Sequence, residues 1–151
     1  MVERDFLNYF KENKIEIIGE KKNAILVDTE IPLLSLTTVL SQEYNSLNFE
    51  IPKHQMIGRI DLIFRIGAKK YIAEAKVNKD GYNNFWYSSK ILAYLEYYKF
   101  QYGNKNTPHP AIILPKEEIT LEHRMICGGL KMELFGLEKK SGAYTLEIVH
   151  F

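Results

Sequence analysis

Two closely spaced runs constrain this chain more than any other feature: Gly58-Arg59-Ile60-Asp61-Leu62-Ile63-Phe64 and Tyr71-Ile72-Ala73-Glu74-Ala75-Lys76-Val77, joined by a short turn around Gly67. Their β-branched and aromatic content predicts two adjacent antiparallel strands. Side chains alternate along a strand, so Ile72, Glu74 and Lys76 point one way while Tyr71, Ala73, Ala75 and Val77 point the other. The small and apolar neighbours imply that both faces are covered. Charges there are costly unless paired or bound to metal. Asp61 interrupts the apolar run of the first strand. Counted outward from the turn, Asp61 lies five residues before Ile66 and Glu74 four after Lys70, so a modest twist or bulge is expected to bring the two carboxylates to one ion.

Carboxylate oxygens of this kind suit Mg²⁺ or Mn²⁺, which accept a few protein oxygens together with waters and phosphate oxygens. The chemistry divides naturally. A metal on Asp61 and Glu74 activates water and binds a phosphate oxygen, while the Lys76 ammonium orients the water or stabilises charge building at phosphorus. The backbone carbonyl of Ala75 is a further candidate ligand. A lone Glu-x-Lys triplet is better explained by a salt bridge on an exposed sheet face. The full string of acid, spacing, apolar framing and following helix makes the catalytic reading the stronger one.

Around these strands the periodicities predict a mixed α/β domain. Met1 to about Asn13 reads as an amphipathic helix, and Ile15–Ile18 with Ala24–Val27 as a β-hairpin; together residues 1–28 form a candidate N-terminal appendage. Pro32 suits the first turn of a helix carrying Leu33, Leu34, Leu36, Val39 and Leu40. Leu47–Ile51, Met56–Ile66 and Lys70–Val77 read as three consecutive antiparallel strands. Asn83–Tyr102, free of proline and glycine and ended by Gly103, is a long helix. There follow a strand at Ala111–Leu114, a helix near Glu118–Cys127, and a closing pair of strands, Lys131–Leu137 and Tyr144–Phe151, around Ser141-Gly142. At 151 residues a single domain is expected.

Twenty basic against nineteen acidic residues leave a formal charge of +1, which is not the balance of a protein that coats nucleic acid. A nuclease is compatible with it, since carboxylates gather at the metal while a separate basic surface holds phosphates. Cys127 is the single cysteine, so no internal disulfide or cysteine-based metal site forms, and it reads as a small buried hydrophobe. Apolar runs fall short of the roughly 18 residues of a membrane span, and Met1 leads straight into charged residues, so an intracellular location is expected.

With these residues in place, the chain resembles the PD-(D/E)xK nuclease superfamily over roughly Glu30 to Leu114. By that likeness Asp61 stands for the motif's aspartate, Glu74 for the second acid and Lys76 for the lysine, with Ile60 where the motif has proline. The resemblance implies a restriction-endonuclease-like core, a central mixed sheet flanked by helices, and metal-dependent cleavage of DNA. The Gly-Arg-Ile-Asp string is similar to that of archaeal branched- or mismatched-DNA endonucleases. Several branches carry a glutamine and, four residues on, a tyrosine on the following helix; Lys90 and Tyr94 stand there, and lysine cannot accept a hydrogen bond. A further acid is common in the superfamily, with Glu30 and Glu43 as candidates here, though helix-terminal and solvated roles explain both. Homodimers are common as well.

Arg59, His54, Lys90 and Tyr94 are candidate substrate contacts. The aromatic residues from Tyr82 to Tyr102, beside Lys79, Lys90 and Lys99, suit stacking on unpaired bases of branched or single-stranded DNA, and equally an aromatic core or dimer face. His109, His123 and His150 read as structural or solvated. The alternative to an endonuclease is a non-catalytic nucleic-acid-binding or assembly module.

Overall fold

A computed structural model describes residues 3–34, 56–78 and 90–150 of the chain. The elements run α1 (Glu3–Glu12), β1 (Ile15–Ile17), β2 (Lys22–Leu34), β3 (Met56–Ile66), β4 (Lys69–Ala75), α2 (Lys90–Tyr102), β5 (His109–Pro115), a 3₁₀ turn (Lys116–Glu118), α3 (Leu121–Gly129), β6 (Glu133–Lys140) and β7 (Ala143–Ile148). β2, β3 and β4 form an antiparallel meander. β5 joins β4, and β6 joins β5, in parallel across the helical connections, and β7 turns back antiparallel on β6.

The sheet does not stay open. β1 pairs antiparallel with β2 on one side and parallel with β7 on the other, so the seven strands close into a barrel. This corrects the expected restriction-endonuclease-like core with its open, helix-flanked mixed sheet. The closing seam is short: Glu16 opposes Thr145, Ile17 opposes Leu146, and the Ile18 amide donates to the Leu146 carbonyl at 2.8 Å. It joins segments about as far apart in the chain as any two in the molecule, where local periodicity carries no signal.

All seven strands contribute to one core, into which α1 sends Phe6 and Phe10. Phe64 meets Phe10, Tyr71 and Phe135 at centroid separations of 5.8, 5.2 and 5.4 Å, within the range of favourable aromatic pairs. A second core gathers Ile60, Ile63, Ile72, Ile112 and Leu134 beneath Ile91 and Leu95 of α2 and Cys127 of α3. Cys127 is fully buried, as its apolar neighbours imply, and burial pushes its thiol up to about 12. α3 opens on a capping box: the Thr120 hydroxyl accepts from the His123 amide at 3.3 Å, and His123 Nδ1 accepts from the Thr120 amide at 3.0 Å. His123 is therefore structural.

The hairpin at the front and the closing hairpin around Ser141-Gly142 form near their expected places, and the strand expected at Ala111–Leu114 extends from His109 to Pro115. Pro32 does not open a helix. It lies in β2 opposite Arg59, and β2 is the strand beside β3 on the side away from β4. Beyond Ala24 the described β2 has a ladder partner on one side only. Proline, lacking an N–H, is tolerated on such an edge. The Leu34 amide at the end of that edge donates instead to Gln101 Oε1 of α2 at 3.0 Å. Leu36, Val39 and Leu40 of the expected helix, the strand at Leu47–Ile51, and Asn83 to Ser89 at the start of the long helix lie outside the described residues.

Candidate active site

The turn between β3 and β4 sets the geometry. Ile66 pairs with Lys69, leaving Gly67 and Ala68 as a two-residue loop, with Gly67 at φ 61. A positive φ at the first loop position is that of a type II′ hairpin turn and favours glycine. The register then runs unbroken to Leu62 opposite Ala73. One further step sets Asp61 opposite Glu74. Of the twist or bulge expected between these strands, no bulge interrupts the described register, because pairing begins at Lys69 rather than Lys70. On the other side of β3, Thr29 opposes Leu62 and Ile31 opposes Ile60, so the same step sets Glu30 opposite Asp61. Three acids thus lie in one row across β2, β3 and β4.

Glu74 is the most constrained of them. It is 2% exposed, and its Oε2 atom is buried with no hydrogen-bond partner among the described residues. Two ammonium groups approach it, Lys76 Nζ at 3.8 Å from Oε2 and Lys90 Nζ at 3.9 Å from Oε1, both beyond ordinary hydrogen-bond length. Burial raises the Glu74 carboxyl above its usual range; Lys76 opposes that shift, Asp61 adds to it, and Lys90 opposes it. Asp61 Oδ2 accepts the Ala75 amide at 3.3 Å. Ala75, named for its carbonyl, therefore also meets Asp61 through its N–H.

A fourth acid comes from an element the sequence did not mark. Glu3, in the first turn of α1, is held at about 7 by burial, by repulsion from Asp61 and by a side-chain hydrogen bond to Asp61; Lys76 lowers it and Glu74 raises it. The only sequence signal was a pair of acids, Glu3 and Asp5, in a helix's first turn, which the helix dipole explains equally well.

Glu3, Glu30, Arg59 and Asp61 line one open cavity of about 310 Å³ together with Arg4, Asn8 and Lys11 of α1. Glu30 adopts φ 51, a left-handed backbone unusual for a non-glycine residue inside a strand. Such strain persists where the surroundings impose it, and it gathers at functional sites.

Lys90 and Tyr94 lie beside the site. The Lys90 ammonium sits 5.8 Å from the Tyr94 ring centroid, and the Tyr94 ring packs on Gly58, where a Cβ would fall 2.5 Å from its hydroxyl. Glycine is required at the head of the Gly-Arg-Ile-Asp string by that approach. His54 and Glu43 lie outside the described residues, as do the aromatics from Tyr82 to Tyr87. Of the aromatics that are described, Tyr94, Tyr97 and Tyr98 pack against the second core, while Phe100 and Tyr102 are about half exposed.

Among the described residues no three His, Cys, Asp or Glu side chains are already gathered as a metal cage. The donor set nevertheless fits a hard divalent cation. The donors are carboxylate oxygens, and one of them, Glu74 Oε2, is buried without a hydrogen bond. Lysines now stand where a cation would neutralise Glu74.

Comparison with protein-family models, with curated proteins and with solved structures finds no match. Among the described residues no helix is long and apolar enough to cross a membrane.

Proposed function

We propose that the chain is a metal-dependent phosphodiester hydrolase acting on nucleic acid, with Asp61, Glu74 and Lys76 as its catalytic centre. One observation carries this reading: the buried Glu74 carboxylate, with an oxygen that has no hydrogen-bond partner among the described residues, lies across the strand pair from Asp61 and within 4 Å of a lysine that follows the Glu-x-Lys spacing. A purely structural ion pair would leave a desolvated carboxylate poorly satisfied, at a cost of several kcal/mol per buried ion. The likeness to PD-(D/E)xK nucleases is one of motif and site, since the sheet closes.

Asp61 and Glu74, with the Ala75 carbonyl, would hold Mg²⁺ or Mn²⁺, and Glu3 and Glu30 stand next to them. When bound, such a cation supplies neutralisation of phosphate charge and activation of water. Lys76, 29% exposed at its side chain, reaches from Glu74 towards solvent and would donate to the attacking water or to a non-bridging oxygen. Lys90, half exposed, adds a second ammonium on the other oxygen of Glu74. A homodimer acting on DNA is part of the same reading.

The test is cleavage of labelled single-stranded, duplex and branched DNA, and of RNA, with Mg²⁺ or Mn²⁺. Lys76→Ala should lower kcat by at least about a hundredfold while the folded state persists, in line with removal of an electrostatic stabiliser. Full activity in both Lys76→Ala and Glu74→Ala would overturn the assignment, as would an absence of cleavage by the intact protein on every substrate.

A further inference from the structure

The basic side of the cavity makes no contribution to holding a metal, and its arrangement asks for a different partner. Arg4, Asn8 and Lys11 line it from α1 at spacings of four and three residues. That spacing places them in one stripe on the helix, away from Phe6 and Phe10, which are buried in the core. At 1.5 Å per residue the stripe extends over about 10 Å, beginning one residue after Glu3. Arg59 faces the same space from β3, two residues before Asp61. All three cations are exposed, and among the described residues none makes an ion pair within 4 Å, although Glu3, Glu30 and Asp61 line the same cavity. Unneutralised guanidinium and ammonium groups in a row beside a carboxylate cluster suit an extended polyanion that brings one phosphate to the acids and continues past them.

We infer that α1 is a phosphate track: Arg4 and Lys11, with Asn8 between them and Arg59 opposite, bind the sugar–phosphate backbone of one nucleic-acid strand flanking the bond to be cut. This rests on the proposed function and assigns its substrate-binding surface. A single strand is the favoured form, because the cavity lies between one helix and one pair of strands and is lined by cations on only two of its sides. Arg59 and Arg4 supply planar donor forks that match phosphate, and Lys11 acts as a point charge.

The experiment is fluorescence anisotropy with a labelled single-stranded oligodeoxynucleotide, in Ca²⁺ and across a salt series, with the matching duplex and a single-stranded RNA as further arms. For a single strand the logarithm of affinity falls with the logarithm of salt by about 0.7 per phosphate neutralised. The double variant Arg4→Ala/Lys11→Ala should weaken binding roughly tenfold or more and flatten that slope by about 1.4, with Arg59→Ala giving about half the change in slope. Lys140→Ala, at the end of β6, should change neither. Circular dichroism checks that the exposed substitutions leave the fold intact. An unchanged slope and affinity in the double variant overturns the track, as does a wild-type chain that binds no nucleic acid. Tighter binding of the duplex with the same loss of slope keeps α1 as the track and overturns the single-strand preference. If the chain binds as described but never cleaves with any metal, the track stands and the hydrolase reading fails. If it cleaves and the variants bind as wild type, the reverse holds.

Discussion

Burial holds the Glu74 carboxyl above its ordinary range, and Glu3 is held at about 7 beside Asp61. A carboxyl whose folded pKa is raised favours folding fully below its unfolded value and loses that contribution as pH rises through the folded value. For Glu3 this window runs from the ordinary 4.5 to about 7. The metal-free protein should therefore lose stability across that window, and Glu74 adds to the loss in the same direction. A divalent cation needs Glu74 ionised and is favoured by an ionised Glu3 beside Asp61, so its affinity should climb with pH as protons are released. Calorimetric titrations with Mn²⁺ at pH 5.5, 6.5 and 7.5 check this; Glu3→Gln should flatten the pH dependence, and an affinity independent of pH in the intact chain would contradict it. Glu74→Gln removes the buried charge while keeping shape, so in the absence of metal its thermal midpoint near pH 7.5 should equal or exceed that of the wild type.

At the scale of elements, the site depends on how α1, α2 and the β3–β4 hairpin are held. Gly58→Ala drives a methyl into the Tyr94 ring and should cost about 1–3 kcal/mol by overpacking, and Tyr94→Ala in the same chain should recover part of it. Urea denaturation of both single variants and the double variant measures that coupling; strict additivity would show that the ring does not rest on Gly58. Phe6→Ala, in a fully buried position on α1, should cost about 3–5 kcal/mol and weaken metal binding by loosening Glu3. The hairpins and their turns were legible in the sequence, because Gly67 and Ser141-Gly142 are strong local punctuation between alternating runs. The strand identity of Ile31–Leu34 was not. Pro32 followed by leucines fits a helix start equally well, and only the ladder to β3 and the Gln101 side chain at the open edge decide for a strand.

For the whole molecule, barrel closure was hidden because it rests on two residue pairs between β1 and β7, the sort of long-range contact that no local pattern announces. That Asp61 and Glu74 lie side by side with Lys76 near them was legible, because charges in or next to an apolar strand pair stand out. Glu3 was not, since only tertiary packing brings α1 against β3. Its arrival also explains how residues 3–17 matter to the site: they complete the core and the barrel, and they bring an acid and a row of cations to one cavity. Cation binding should accordingly stabilise the whole fold, by about 2.7 kcal/mol at a hundredfold excess over Kd, read as a rise in Tm with Mg²⁺ that Asp61→Asn abolishes.

The most direct test is a crystal grown or soaked with Mn²⁺ and measured for anomalous scattering. The account predicts a peak between Asp61 and Glu74, within coordination distance of carboxylate oxygens of both, and both Lys76 and Lys90 turned from Glu74 towards solvent. No peak there at saturating Mn²⁺, with the two lysines still on Glu74, would contradict it.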